Sequence, residues 1–504
     1  MNVGLFIAVV IVMMLLVGGV SVYMKLQERR NNQLAANNVD DFATASRSLG
    51  VLGLSCTLGL KCLGSGYVLG MPGAGWNYGV GTWWYMAATG AMFVILCAFT
   101  GPWVRRFGYT TVNELWGKMF NKKTAVMMSG IAAGTCFGIM TLEIQGVGTI
   151  ISVLTGWKLA VGCIFAGVVS ILYVIFGGMK QIAKLNQINA FIMYAGVLIA
   201  LFTIGKYLPD GWQGVNEYYL SGDESWKLNI MANAETWRTY IIGMFLAVLF
   251  YNTIGPTSLQ IISSTKNVNV IRKSIFWMIP MNLMFGACIL AFGMAAKSIA
   301  EYSAIPGPPI ATVTMLMNLL PNWIVVWIFV SFSLAMISTI AMQLLVMPTC
   351  FIRDVLAYTK PLKPEKEFSF LRWGVLVTGI YGTLASTLLP SVASAIVWVF
   401  AWMLPAFWLF VFGLLWKRSN KAGVWCMIIC GIFNMIWSYS NLPALVHLEG
   451  NNNSIGLILV SLICCILFTA LDKNAKPPYK GMYIQDKKSV VCPEAYPELF
   501  KEEA

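Results

Sequence analysis

The sequence predicts an all-α polytopic membrane protein of about thirteen transmembrane helices, built around a five-plus-five inverted repeat. Three observations carry the membrane class, and two helix breaks carry the repeat. Of 504 residues, 58% are apolar and only 11% are charged, against roughly 25% charged in a soluble globular domain. The apolar residues gather into runs of about 20, the length that crosses the hydrocarbon core of a bilayer. The basic residues fall almost wholly in alternate loops.

Taken in order, the runs are 3–24, 50–72, 79–103, 125–154, 158–177, 186–207, 238–262, 274–297, 322–351, 371–390, 392–416, 422–441 and 454–471. The first lacks a basic n-region and a small-residue cleavage site, so it reads as a retained helix and not a signal peptide. Thirteen spans put the termini on opposite sides. With the N-terminus outside, the inside segments are 25–48, 104–124, 178–185, 263–273, 352–370 with the flanking Arg372, 417–421 and 472–504. They hold 28 Lys and Arg. The outside loops and helix ends hold 5: Lys158, Lys206, Lys227, Arg238 and Lys297. Membrane proteins keep basic loops on the cytoplasmic side. The expected placement is therefore the cytoplasmic (inner or plasma) membrane, with an external N-terminus and a cytoplasmic C-terminus. The net charge of +13 is a topology signal, and no nucleic-acid partner is expected.

The twelve cysteines lie in apolar runs or in segments read as cytoplasmic, such as Cys492. No CxxC pair appears, so they read as small buried hydrophobes. The single histidine, His447, stands beside Glu449 in a polar loop. One imidazole supports neither a His-based metal site nor a catalytic triad. No nucleophile–base pair lies near the midplane, and no enzyme activity is expected.

Backbone in lipid must satisfy itself, so helix breaks survive only where protein or a cavity surrounds them. Two breaks stand out. Span two reads Leu60-Lys61-Cys62-Leu63-Gly64-Ser65-Gly66 and then Gly70-Met71-Pro72-Gly73-Ala74-Gly75. Span seven reads Tyr251-Asn252-Thr253-Ile254-Gly255-Pro256-Thr257-Ser258. They lie five spans apart, and an odd offset gives opposite directions. Interrupted helices at matching places in two inverted halves mark the binding site of a secondary transporter. Spans two to six (49–207) form one repeat and spans seven to eleven (237–416) the other. Helix 1–24, loop 25–48, extracellular loop 208–236, two further helices in 417–471 and tail 472–504 are additions.

Two charges lie well inside spans: Lys61 and Glu143. Each costs at least about 2.5–3.5 kcal/mol to insert alone. At 1.5 Å rise per residue both fall within a few ångström of the midplane. They form either a static pair or part of a shared polar cavity. Trp83, Trp84 and Tyr85 closely follow the first break, where they either line a pocket or pack.

Several stretches over about residues 40–440 resemble the sodium:solute symporter family. They are Asp41-Phe42 with Arg47-Ser48-Leu49-Gly50; Gly70-Met71-Pro72-Gly73 with Gly75; Tyr173 with Phe176-Gly177-Gly178 and Lys180; Gln260 with Lys266; and Ala335-Met336-Ile337-Ser338-Thr339 followed by Gln343-Leu344 and Arg353-Asp354. The resemblance implies the leucine-transporter-like inverted-repeat fold. It also implies a coupling sodium ion between the first and eighth core helices. Its ligands would be the carbonyls of Leu60, Leu63 and Ala335 and the hydroxyls of Ser338 and Thr339, oxygen donors suited to a hard cation. Where many relatives carry an Asp in the fifth core helix, this chain has Asn186. Ala341 and Met342 replace the hydroxyls of a second sodium site, which is expected to be absent. Met86 stands where sugar-carrying members place a Glu, which argues against a sugar.

The expected function is secondary active transport of a small organic solute by alternating access. Lys61, Tyr67, Trp84, Tyr85, Glu143, Asn252 and Thr253 are the expected substrate contacts. A Lys and a Glu beside aromatics suit a zwitterion or organic anion such as an amino acid or carboxylate, with Lys61 as point-charge partner. A quaternary amine in an aromatic box is the alternative substrate. A transporter-like sensor is the alternative role, although the 33-residue tail is short for a signalling domain. Coupling has two readings. An ammonium about 4 Å from a sodium ion, at an effective dielectric of about 20, repels it by roughly 4 kcal/mol. Lys61 therefore either replaces sodium, leaving proton coupling, exchange or facilitated diffusion, or turns aside and leaves the sodium site working. No organic cofactor is expected.

Overall fold

The computed structural model describes residues 3–30, 39–175, 177–356, 362–388, 398–441, 443, 453–478, 483–486 and 489–491. Every apolar run read from the sequence carries helix within these residues. Among the described residues, nine helices are long and apolar enough to cross a membrane, or up to ten when a bent pair counts as one. Three shorter apolar helices accompany them, at Ile11–Val20, Val51–Cys62 and Leu159–Ile175. Together these are compatible with about thirteen spans. Spans two and three share an almost unbroken helical path, Gly66–Phe107. At 1.5 Å per residue, its 42 residues are far too long for one crossing. The chain turns at Gly79, whose φ is +60° and whose Cβ would collide with Lys227. Only glycine meets both demands.

Span nine, Asn322–Cys350 continuing to Leu356, is the centre of the bundle. In its most apolar window 89% of residues are buried, against 22% for Glu365–Ser386 and 39% for both Asn420–Tyr439 and Asn453–Leu471. Those three helices are peripheral, and their apolar faces, like Phe191, Phe202 and Phe276 elsewhere, are exposed. In a bilayer, lipid covers such faces.

Spans two and seven run in opposite senses, side by side. Leu49, at the start of span two, forms a parallel bridge with Thr265, just past the end of span seven. Leu49 N–H donates to the Ser264 carbonyl at 3.0 Å, and Lys266 N–H donates to the Leu49 carbonyl at 3.0 Å. One broken helix therefore enters where the other leaves, as an inverted repeat requires.

The loops hold more structure than their composition suggests. Gly211–Ser221 and Ser225–Leu228 are helical within the 208–236 loop, and Pro308–Leu319 forms a further helix between spans eight and nine. The tail carries a short antiparallel pair, Tyr483–Asp486 with Ser489–Val491. His447, Glu449 and Cys492 lie outside the described residues.

Candidate functional site

Span two stops at Leu63, where φ −93° and ψ 36° leave the helical region. It restarts through wide turns at Gly66–Gly70 and continues as Met71–Tyr78. A helix start leaves backbone N–H groups without acceptors. Here one of them is answered from another helix: Ser65 N–H donates to Glu143 Oε2 at 2.6 Å. The carboxylate is 1% exposed, and its negative charge faces the positive end of the restarting helix. Gly64 makes room, because a Cβ there would overlap the Glu143 carboxyl group. Gly146, one turn along span four, lets that span approach Ser65 and Met336.

Span seven breaks differently. Ile242–Ile254 ends at Gly255, with φ −59° and ψ 138°, and Pro256–Ser263 resumes at a 40° bend. Pro256 has no N–H to leave unpaired, and its ring disfavours helix at the residue before it.

Lys61 joins the two breaks. Its ammonium is 6% exposed. It donates to Asn252 Oδ1 at 2.5 Å and Ser258 Oγ at 3.1 Å, and lies 5.4 Å from the centroid of the Tyr251 ring. Its direct partners are all neutral. Lys61 and Glu143 line one cavity with Tyr67, Tyr85 and Asn252, so five of the seven expected substrate contacts come together. The space left open is about 30 Å³, room for about two waters. A larger solute enters only when the spans part.

The structure places the other two elsewhere. Trp84 Nε1 donates to the Ile230 carbonyl at 3.0 Å, and its ring packs on Trp237, towards the 208–236 loop. Thr253 Oγ1 donates to the Phe250 carbonyl in its own helix at 2.9 Å. Each is adjacent in sequence to a cavity residue, and neighbouring helical positions point about 100° apart. Tyr251, Thr89, Gln343 and Phe400 also line the cavity. Tyr251 borders the second break as Tyr67 borders the first, a signal available in the sequence. Phe400 carries no such mark; it stacks on Tyr251 at 4.2 Å only through the fold.

Among the oxygen atoms suited to sodium, one contact joins spans two and nine. Thr339 Oγ1 lies 3.3 Å from both the Lys61 and the Ala335 carbonyl oxygens. Ser338 Oγ donates to the Ala335 carbonyl at 2.9 Å. The Leu60 carbonyl accepts Leu63 N–H at 2.9 Å, closing the end of the helix. At Thr339 a neutral hydroxyl of span nine thus faces a carbonyl of span two, a donor type suited to a hard monovalent cation. The Lys61 ammonium is bonded to span seven. Asn186 sits in a neutral cluster: Tyr173 donates to its Oδ1 at 2.8 Å, and Asn189 Nδ2 donates to the Tyr173 oxygen at 2.5 Å. Ala341 and Met342 are buried and offer no side-chain oxygen. Met86 lies against Gly286.

The sequence and the fold have parallels in known proteins. The chain is 22% identical over 477 residues to a sodium/pantothenate symporter of Escherichia coli (strain K12), covering 90% of this chain and 94% of that one. It is 20% identical over 435 residues to a sodium/glucose cotransporter of Vibrio parahaemolyticus, covering 80% of each. The fold matches a sodium-coupled sialic acid symporter, solved substrate-bound and outward-open, with a TM-score of 0.78 at 16% identity over 94% of this chain and 98% of that one. It also matches a nucleobase-cation-symport-1 family transporter in a closed conformation, with a TM-score of 0.55 at 13% identity over 87% and 97% of the two chains. The fold is therefore the leucine-transporter-like inverted repeat. The sequence profile of the sodium:solute symporter family matches residues 42–431. The chain is a multi-pass membrane transporter of a small organic solute, and it belongs to the sodium:solute symporter family.

Proposed function

We propose that this chain is a sodium-coupled symporter of a small organic anion or zwitterion, bound in the cavity between the two broken helices. One observation carries the reading. Lys61 is a buried ammonium whose direct partners, Asn252, Ser258 and the Tyr251 ring, are all neutral. Glu143 is engaged with Ser65 N–H. A desolvated cation without a bonded anion favours an anionic ligand, and a compact ammonium suits a carboxylate. Two of the similar proteins are named for acids, pantothenate and sialic acid. A quaternary amine is disfavoured, because Lys61 already lies against the Tyr251 ring that would form its box.

Sodium would be held by the carbonyls of Leu60, Leu63 and Ala335 with the hydroxyls of Ser338 and Thr339, supplying a positive charge where spans two and nine meet. The turn of Lys61 towards Asn252 and Ser258 supports this reading over replacement of sodium by the ammonium. Thr339, which touches the Lys61 carbonyl and lines the cavity, links the ion's position to the solute's. The basic-residue distribution supports an external N-terminus and a cytoplasmic C-terminus.

Uptake of radiolabelled pantothenate and a panel of carboxylates and amino acids into proteoliposomes tests the function. The expected result is uptake of an acid that rises steeply with external sodium and falls in Lys61→Ala. Acid uptake unchanged in sodium-free medium would return the cation's role to Lys61. Cysteines introduced in 208–236 and 355–368 test the orientation. Labelling of the second segment from outside intact cells, without labelling of the first, would overturn it.

A further inference from the structure

Besides its charged groups, the cavity holds a second set of polar atoms that the protein leaves unanswered. Gln343, on span nine one turn beyond Thr339, is fully buried and lines the cavity. Neither its amide nitrogen nor its amide oxygen has a hydrogen-bond partner among the described residues. The Tyr251 hydroxyl lies on the same cavity wall as Lys61's partners, with Thr257 of its own span beside it. A buried polar atom without a protein partner must be answered by water or by a ligand, and Gln343 presents two such atoms to the cavity. The surrounding helix answers neither. Ser338 and Thr339 bond back to the Ala335 carbonyl, but Gln343 makes no such bond. The same cavity shows what answered polar groups look like: the Tyr67 hydroxyl donates to Thr89 Oγ1 at 2.8 Å.

We infer that Gln343, with the Tyr251 hydroxyl, forms a specificity pole for a neutral hydrogen-bonding group of the solute. The inference rests on the acid reading above and narrows it. The solute is an acid that also bears an amide or hydroxyl, set off from its carboxylate by the distance between Lys61 and Gln343. A primary amide offers one acceptor and two donors, so it pairs with a secondary amide of a ligand in both directions. A site built to hydrogen-bond such a group discriminates strongly against an analogue lacking it, because the site's own polar atoms are then left buried and unpaired. Plain fatty acids of the same length should be poor ligands.

The test compares two matched series on the purified, detergent-solubilised full chain in sodium buffer. One series is N-acetylglycine, N-acetyl-β-alanine and N-acetyl-4-aminobutyrate. The other is pentanoate, hexanoate and heptanoate, of the same chain lengths without the amide. Ligand binding raises the thermal midpoint by mass action. In wild type, at least one N-acetyl acid should act at a concentration about tenfold or more below that of its plain counterpart. In Gln343→Leu that preference should fall to about one, and in Tyr251→Phe it should shrink. The ligand-free midpoint of Gln343→Leu should match or exceed that of wild type, because the change removes unpaired polar atoms; Tyr251→Phe carries the test should Gln343→Leu not fold. Equal response to both series in wild type, with Lys61→Met weakening both, overturns the specificity pole and leaves the acid reading standing. A midpoint unmoved by either series, in wild type and Lys61→Met alike, overturns the acid reading and this inference with it.

Discussion

The two helix breaks look alike in sequence and are held open by different means. The break in span seven is written into adjacent residues. Gly255 takes a non-helical conformation, Pro256 supplies no N–H, and Leu259 N–H returns to the Gly255 carbonyl at 3.1 Å. The break in span two has no proline at the discontinuity. It stays open because Glu143, 78 residues away in sequence, accepts Ser65 N–H, and because Gly64 leaves room for the carboxylate. One break is local chemistry; the other depends on a partner helix. The difference teaches where to look for motion. A break that relies on a distant buried charge changes when that charge moves or is protonated, whereas a Gly-Pro break persists.

The comparison breaks most severely at Gly64. Gly64→Ala should destabilise the protein by about 3 kcal/mol or more, because overpacking is joined to displacement of a buried carboxylate from its donor. Gly70→Ala, whose Cβ would meet only the Ser65 carbonyl oxygen at 3.8 Å, should be tolerated. Thermal midpoints and size-exclusion profiles of the two variants give the contrast; equal behaviour would remove the special status of the first break.

Next in size is Glu143. Glu143→Leu leaves Ser65 N–H buried without its acceptor and should cost about 2–3 kcal/mol. Glu143→Gln keeps an acceptor oxygen but loses the charge-assisted bond, and should cost about 1 kcal/mol. Uptake by Glu143→Gln should fall further than its stability does, and normal uptake by a well-expressed variant would leave Glu143 as a cap only.

At span seven, Gly255→Ala should cost about 2 kcal/mol, less than Gly64→Ala. Its backbone angles are open to alanine, but the added Cβ would meet the Tyr251 carbonyl oxygen at 2.9 Å, and that carbonyl must shift. A loss as large as that of Gly64→Ala would show that the second break is no less dependent on its surroundings.

The smallest expected effect concerns the far end of span two. Lys227 Nζ donates to the Trp76 carbonyl at 3.0 Å, and Lys227 and Lys297 both pair with Glu224 at 2.7 Å. Burial opposes ionisation of the Glu224 carboxyl, but the two ammonium groups outweigh it and hold the carboxyl below its ordinary 4.5. Because the folded protein binds this proton less tightly than the unfolded chain, the contribution is intact above pH 4.5. It is lost as the pH falls through the lowered folded value. A pH series of thermal midpoints should show this acid-side loss in wild type and a shallower one in Glu224→Gln.

Much of the site was legible because charge in lipid is costly. Lys61 and Glu143 stood out from a sequence with 11% charged residues, and both line the cavity. Gly255-Pro256 announced its break through backbone rules alone. Gln343 belongs to a stretch that resembles the family, but no charge or helix break marks it as a cavity residue. It lies in a helix buried on all sides, where no polar face distinguishes a cavity wall from packing. Trp84 and Thr253 adjoin cavity residues in sequence, and proximity along a helix does not decide direction.

The sequence by itself determined the all-helical membrane class, the apolar runs, the places where two helices break and the two charges that must be accommodated. Each follows from a free energy local to a residue or a short run: transfer of apolar surface, burial of charge, and the backbone limits of glycine and proline. The tertiary structure alone decided that Lys61 bonds to Asn252 and Ser258 and not to Glu143, that Glu143 answers Ser65, and that Gln343 turns unpaired polar atoms into the cavity that Tyr251 also lines. Those choices depend on which faces of helices far apart in sequence meet, and at what rotation. That is set by packing summed over many contacts, and no short stretch of sequence encodes it.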